Sequence, residues 1–113
     1  MKGNLIVKTF GQVITEARKK MDLSQKQLAA LIKREGGEAI SPQYLNDIEH
    51  DRRSPTGRRL IEQLAKSLKL EPDYLSFLAG QFPDHVRRLA KDEEQFSTAW
   101  QAFRRKLKET SKS

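Results

Sequence analysis

The stretch Ser41-Pro42-Gln43-Tyr44-Leu45-Asn46-Asp47-Ile48-Glu49 concentrates the polar side chains with most to offer a partner. Gln43 and Asn46 each carry an amide that can bond adenine in a bidentate manner, and Asp47 can accept from the amino group of cytosine. Tyr44 adds a ring and a hydroxyl, placed either to touch a base or to half-bury as support for the turn. On a helix, Leu45 and Ile48 fall on the inner face and leave Gln43, Tyr44, Asn46 and Asp47 on or near the outer one. Asp47 can equally bond a neighbouring loop rather than a base. Arg52 and Arg53 follow at once, with Arg58 and Arg59 close behind, in a window without an acid. Phosphate is the natural target of Arg52 and Arg53; for Arg58 and Arg59 a solvated face explains as much. Upstream, Ser24-Gln25-Lys26-Gln27 opens another helix, whose free N-terminal amides would suit an anion such as a DNA phosphate.

Other chemistries find no such support. His50-Asp51 and Asp84-His85 are neighbours in sequence, so they do not face one another on a helix, and neither has a third partner in view. Both read as surface pairs. No glycine-rich phosphate loop, nucleophile elbow or metal-ligand spacing occurs. With two histidines and no cysteine, disulfides and thiolate zinc sites are excluded. No catalytic residue, metal or cofactor is therefore expected, and these residues do not point to an enzyme.

Composition narrows the partner. The chain has 113 residues, enough for one domain with an appended helix or tail. Hydrophobic residues make up 36% and charged residues 33%, so the core must be small. Twenty-two basic residues against 15 acidic ones give a formal charge of +7, which points to a polyanion. Charge alone does not separate DNA from RNA or an anionic membrane. No apolar run approaches the roughly 18 residues that a bilayer span needs, and Leu5-Ile6-Val7 is too short for a signal-peptide core. A cytoplasmic protein without membrane contact is expected.

Helical periodicity supplies the elements that would position these residues. Phe10, Val13, Ile14 and Ala17 line a first helix, with Thr9 and Gln12 as a capping box and Arg18, Lys19 and Lys20 opposing the dipole at its end. Leu28, Ala29, Leu31 and Ile32 mark the second, predicted to run to about Arg34 before Gly36-Gly37 breaks it. The third begins at Ser41-Pro42 and ends near Glu49 or His50. Ser54-Pro55 predicts the start of a fourth, carrying Leu60, Ile61, Leu64, Ala65 and Leu68. A short fifth begins near Pro72, holds Tyr74, Leu75 and Leu78, and stops at Gly80. Asn4–Lys8 is the one plausible strand. A last segment places Val86, Leu89, Phe96, Trp100, Phe103 and Leu107 at alternating spacings of three and four, a heptad-like seam interrupted at Glu93.

Leu23-Ser24-Gln25-Lys26-Gln27-Leu28-Ala29, then Ile40–Glu49, then Arg52-Arg53-Ser54-Pro55, followed by Leu60–Leu68 and Asp73-Tyr74-Leu75 up to Gly80, resembles the phage-repressor-like (XRE) helix-turn-helix family of bacterial and phage transcription regulators. The likeness spans about residues 9–80. It implies that Gln25 contacts phosphate and buttresses a base-reading side chain, and that Gln43, Tyr44 and Asp47 face the major groove. It also implies phosphate contacts for Arg52 and Arg53 and a supporting role in the fold for Glu49. Two departures stand out. The stretch from Lys33 to Ile40 is longer than the family's turn, either a surface loop bringing Arg34 to a phosphate or a longer helix end without a role. Asp51 stands where the family often has glycine.

These readings predict an all-α chain: an N-terminal arm over 1–8, a five-helix repressor-like helix-turn-helix domain over 9–80, a C-terminal amphipathic helix over 81–107, and a tail over 108–113. The expected DNA-binding set is Ser24, Gln25, Arg34, Ser41, Gln43, Tyr44, Asn46, Asp47, Arg52 and Arg53. Val86, Leu89, Phe96, Trp100, Phe103 and Leu107 are the expected dimer contacts. The expected function is a dimeric repressor bound to double-stranded DNA. The alternative is an antitoxin- or immunity-type protein whose C-terminal helix grips a partner protein, with DNA binding for autoregulation. RNA is disfavoured because no exposed aromatic stacking platform is evident.

Overall fold

In the computed structural model, residues 8–55 and 57–111 are described. The expected strand at Asn4–Lys8 and the arm over 1–8 lie outside them except for Lys8. The described residues form seven helices and no strand: α1 (Phe10–Lys20), α2 (Gln25–Leu31), α3 (Pro42–Glu49), α4 (Arg58–Leu68), α5 (Pro72–Leu78), α6 (Asp84–Arg87) and α7 (Glu93–Ser111). They divide into two units, residues 1–81 and 82–113. The fold is all-α.

In the first unit the start of α1 is fixed by Thr9, which accepts from the Gln12 amide while the Gln12 side chain accepts from the Thr9 amide. Ser24 and Gln27 repeat the device at α2, and Ser41 caps α3 with Pro42 in its first turn. Ile14, Leu28, Ile32, Leu45, Ile48, Ile61, Leu64 and Leu75 are almost wholly excluded from water. Each such burial stabilises by about 1.5–3 kcal/mol. Helix α3 packs between α1 and α2, and α4 packs on α1 and α5. At the α1–α3 crossing the backbones touch: a Cβ on Gly11 would lie 2.3 Å from the Glu49 carbonyl oxygen. Glycine is required there for approach, not for its dihedral freedom.

Two helix boundaries differ from the periodicity. Helix α2 stops at Leu31, three residues short of Arg34, because Ile32 turns extended and enters the core. Leu31, expected inside, is exposed. The following segment is a small hairpin, with Lys33 and Ala39 forming an antiparallel bridge, so the longer-helix option for the turn is corrected. Helix α4 does not begin at Ser54-Pro55. Pro55 is buried, and the helix starts after Gly57, whose φ of 82° no L-residue adopts easily.

The second unit corrects the expectation of one helix over 81–107. Asp92 accepts the Gln95 amide at 2.8 Å, while the Gln95 side chain accepts the Lys91 amide at 2.6 Å. These two bonds start a new helix and separate Val86 and Leu89, in and just after α6, from the rest of the seam. Helix α7 then runs to Ser111 through most of the expected tail. Along it, the Phe96 and Trp100 rings stack at 6.0 Å and Trp100 meets Phe103 at 5.6 Å. Phe96, Trp100, Phe103 and Leu107 all remain exposed.

Candidate nucleic-acid interface

Helix α3 is positioned from behind by one buried ion pair. Glu49 is the single charged residue of the described chain that is buried. It receives the Arg18 guanidinium at both carboxylate oxygens, 2.7 Å from Nε and 3.1 Å from Nη2. Arg18 also donates from Nη1 to the Leu23 carbonyl at 2.8 Å, so one side chain ties α1, the turn into α2, and α3. Gln25 completes the brace, donating from Nε2 to Glu49 Oε1 at 2.8 Å and to Asn46 Oδ1 at 3.0 Å. Burial pushes the Glu49 carboxyl up, but the bonds from Arg18 and Gln25 and the Arg18 charge outweigh it. They hold the group below its ordinary value.

The outer side of α3 is arranged differently. Gln43 Nε2 donates to Asp47 Oδ1 at 3.0 Å, and the same oxygen accepts from Arg52 Nε at 3.3 Å, with Arg52 Nη2 3.2 Å away in the ion pair. The half-buried Tyr44 ring carries two guanidiniums, with Arg34 Cζ 4.9 Å and Arg53 Cζ 5.1 Å from its centre. Arg34, Ser41, Gln43, Tyr44, Asp47 and Arg53 together line one open depression. The structure thus gathers seven of the ten expected residues (these six and Arg52) along one side of α3. Gln25 and Asn46 sit in the brace behind it. Ser24 is the α2 cap, and its box with Gln27 occupies two of the four N-terminal amides expected to form an anion site, leaving those of Gln25 and Lys26.

The helix-turn-helix family model matches residues 14–75, more than half of the chain. The chain belongs to that helix-turn-helix family, in its phage-repressor-like (XRE) type. Among solved structures, the P22 c2 repressor protein in complex with a synthetic operator is similar at 28% identity and a TM-score of 0.52, over 61% of this chain and 94% of that one. A SinR/SinI protein complex is similar at 19% identity and a TM-score of 0.49, over 87% and 99%. No curated protein matches by sequence.

Four residues of this helix-turn-helix unit do structural tasks that periodicity did not assign. Asp51 adopts φ 59° and accepts from Thr9 Oγ1 and, at 3.0 Å, from the Gly11 amide, so it closes α3 and caps α1 in one residue. Gly11 permits the crossing. Arg58 is bound to Glu62, Asp73 and Ser76, which commits it to the α4–α5 junction rather than to a phosphate. Gln63 holds the hairpin, accepting from the Lys33 amide and donating to its carbonyl, both at 2.7 Å. Only the Asp51 position carried a signal in sequence, as an aspartate where the turn calls for a left-handed residue. Among the described residues no group of three or more His, Asp or Glu is placed to hold a metal ion, and no helix is long and apolar enough to cross a membrane.

Proposed function

We propose that this protein is a sequence-specific repressor of transcription that lays α3 in the major groove of double-stranded DNA as a homodimer. The observation that carries the reading is the two-sidedness of α3. Its inner side is locked by Leu45, Ile48 and the Arg18–Glu49–Gln25 brace, and its outer side presents Gln43, Tyr44 and Asp47 between arginines. A rigid helix with adaptable amides outward suits base edges, and flanking guanidiniums suit phosphates. The P22 c2 repressor, similar over 94% of its length, is bound to an operator in its structure. In the present chain Gln43 is the base reader, and Arg52 and Arg53 are the backbone contacts. Ser24 and Gln25 sit nearest the phosphate at the open end of α2, with Asn46 set by Gln25.

One such helix reads too few base pairs for selectivity, and a dimer places two about 34 Å apart on one face of the duplex. The exposed stripe Phe96, Trp100, Phe103 and Leu107 on α7 supplies the pairing surface, with Val86 and Leu89 outside its register. The same stripe supports the second reading, an antitoxin- or immunity-type protein that captures a different chain. Sedimentation of the pure protein separates the two, since only self-pairing gives a dimer without a partner.

Selecting bound fragments from random duplex DNA tests the main reading. A palindrome with half-sites one helical turn apart is expected. Gln43→Ala should then cost about 1–3 kcal/mol on that site and relax preference at one position, while Arg52→Ala weakens all duplexes and lowers the salt slope by about one. If Gln43→Ala leaves site preference unchanged, α3 is not the reading helix.

A further inference from the structure

The Lys33–Ala39 hairpin is built, not slack. Ile32 and Ile40 bury at its base, and the Ile40 amide donates to the Ile32 carbonyl at 2.9 Å. The Arg34 amide donates to Glu38 at 2.7 Å, and the Gly37 amide to Arg34 at 2.8 Å. Gly37 closes the turn at φ 93°. Gln63 grips Lys33 by both backbone groups and fastens the hairpin to α4. None of these bonds uses the Arg34 side chain. It is carried across to α3, where it shares the Tyr44 ring with Arg53.

Both guanidiniums border the depression that Tyr44 helps to line, and the ring offsets only part of the positive charge gathered there. Neither Arg34 nor Arg53 has a carboxylate partner among the described residues, although Glu35 and Glu38 belong to the same hairpin. Asp47 borders the same depression, but its Oδ1 is already engaged by Gln43 and Arg52. The missing component is an anion with several acceptor oxygens, for which a guanidinium fork is shaped.

We propose that Arg34 and Arg53, held against Tyr44, form a two-arginine cradle for the phosphodiester backbone, which makes the hairpin a second DNA-contacting element beside α3. This rests on the DNA reading above and deepens it. Because Gln63 ties the hairpin to α4, a phosphate held here fixes the angle at which α3 enters the groove.

The test uses the full chain with the selected duplex and a scrambled one across a salt series. Arg34→Ala should weaken both duplexes about eightfold at 0.1 M salt, keep their ratio, and lower the salt slope by about one. Arg34→Lys should restore the slope. The Arg34→Ala thermal midpoint should match the parent, since the backbone holds the hairpin. Unchanged affinity and slope in Arg34→Ala overturn the cradle; if Gln43→Ala still loses discrimination, the α3 reading stands without it. A lowered slope in Arg34→Ala with unaltered preference in Gln43→Ala supports the cradle and sinks α3 as the reader. Inorganic phosphate alone is the remaining arm, followed by the arginine side-chain NMR signals. Shifts should come only with duplex; saturation of Arg34 by sub-millimolar phosphate would identify a free-anion site and overturn the DNA assignment.

Discussion

Glu49 accepts twice from Arg18 and once from Gln25, and its protonation should be visible in stability. Its folded carboxyl titrates below the ordinary 4.5, so it binds protons less readily folded than unfolded. The stabilisation is therefore complete above about 4.5 and is lost as pH falls through the folded value. Glu49→Gln should cost about 3–5 kcal/mol at pH 7, because Arg18 is left buried without its counter-charge. The gap between parent and variant should narrow as pH falls below about 4.5, by at most about 1.4 kcal/mol per pH unit, as read by thermal midpoints at each pH. A gap constant with pH would show that the pair does not act through charge. Asp51 separates a backbone role from a side-chain role. Asp51→Ala loses the cap on α1 and must still adopt φ 59°, whereas Asp51→Gly loses only the cap. The alanine variant should be the weaker, with cap loss costing about 0.5–2 kcal/mol in both and backbone strain adding to alanine alone. Equal midpoints in denaturant would mean that the left-handed conformation carries no cost.

At the level of elements, the α1–α3 crossing leaves no room for a side chain at Gly11. Gly11→Ala would press a methyl into the Ile48 and Glu49 carbonyls, backbone atoms that cannot rotate away. A loss of about 3 kcal/mol is expected, lowering the melting point by roughly 10–20 °C in a domain of this size. A midpoint within a few degrees of the parent would show that the helices can separate without cost. Nothing in the sequence marks Gly11, because close approach is a property of two helices and periodicity describes one. What one helix decides alone was legible: the stripes Phe10–Ala17 and Leu60–Leu68, the Thr9, Ser24 and Ser41 caps, and the all-α class. The reading failed where a local competitor outbid the pattern. Asp92 and Gln95 form a cap that interrupts the heptad spacing, and Ile32 leaves α2 to reach the core. The candidate surface was legible to the same degree. Outward residues of α3 follow from where Leu45 and Ile48 point, and the resemblance already gave Gln25 a buttressing role, but its bond to Glu49, and Arg58 as a helix clamp, depend on partners 24 and 18 residues away.

For the molecule as a whole the question is what covers α7. Four large apolar side chains lie along it, and burying each is worth about 1.5–3 kcal/mol. Less than half of each side chain is still exposed, so the two copies of a pair together gain about 5–10 kcal/mol, of the same order as the roughly 4–15 kcal/mol that association costs. Leu107→Glu tests this cleanly, because an exposed leucine becomes another good helix former and α7 itself should persist. The parent should sediment at twice its 13.0 kDa and the variant at the chain mass. Trp100 is the one tryptophan and lies in the stripe, so its emission should shift to the red on dilution of the parent and already be red in the variant. Operator binding should follow the same division. The variant should keep its affinity for a single half-site and lose the gain from the second, since the spacing of two reading helices is set by the pair rather than by either chain. A variant that still dimerises with unshifted emission would move the pairing surface off α7 and return the stripe to a partner of different sequence.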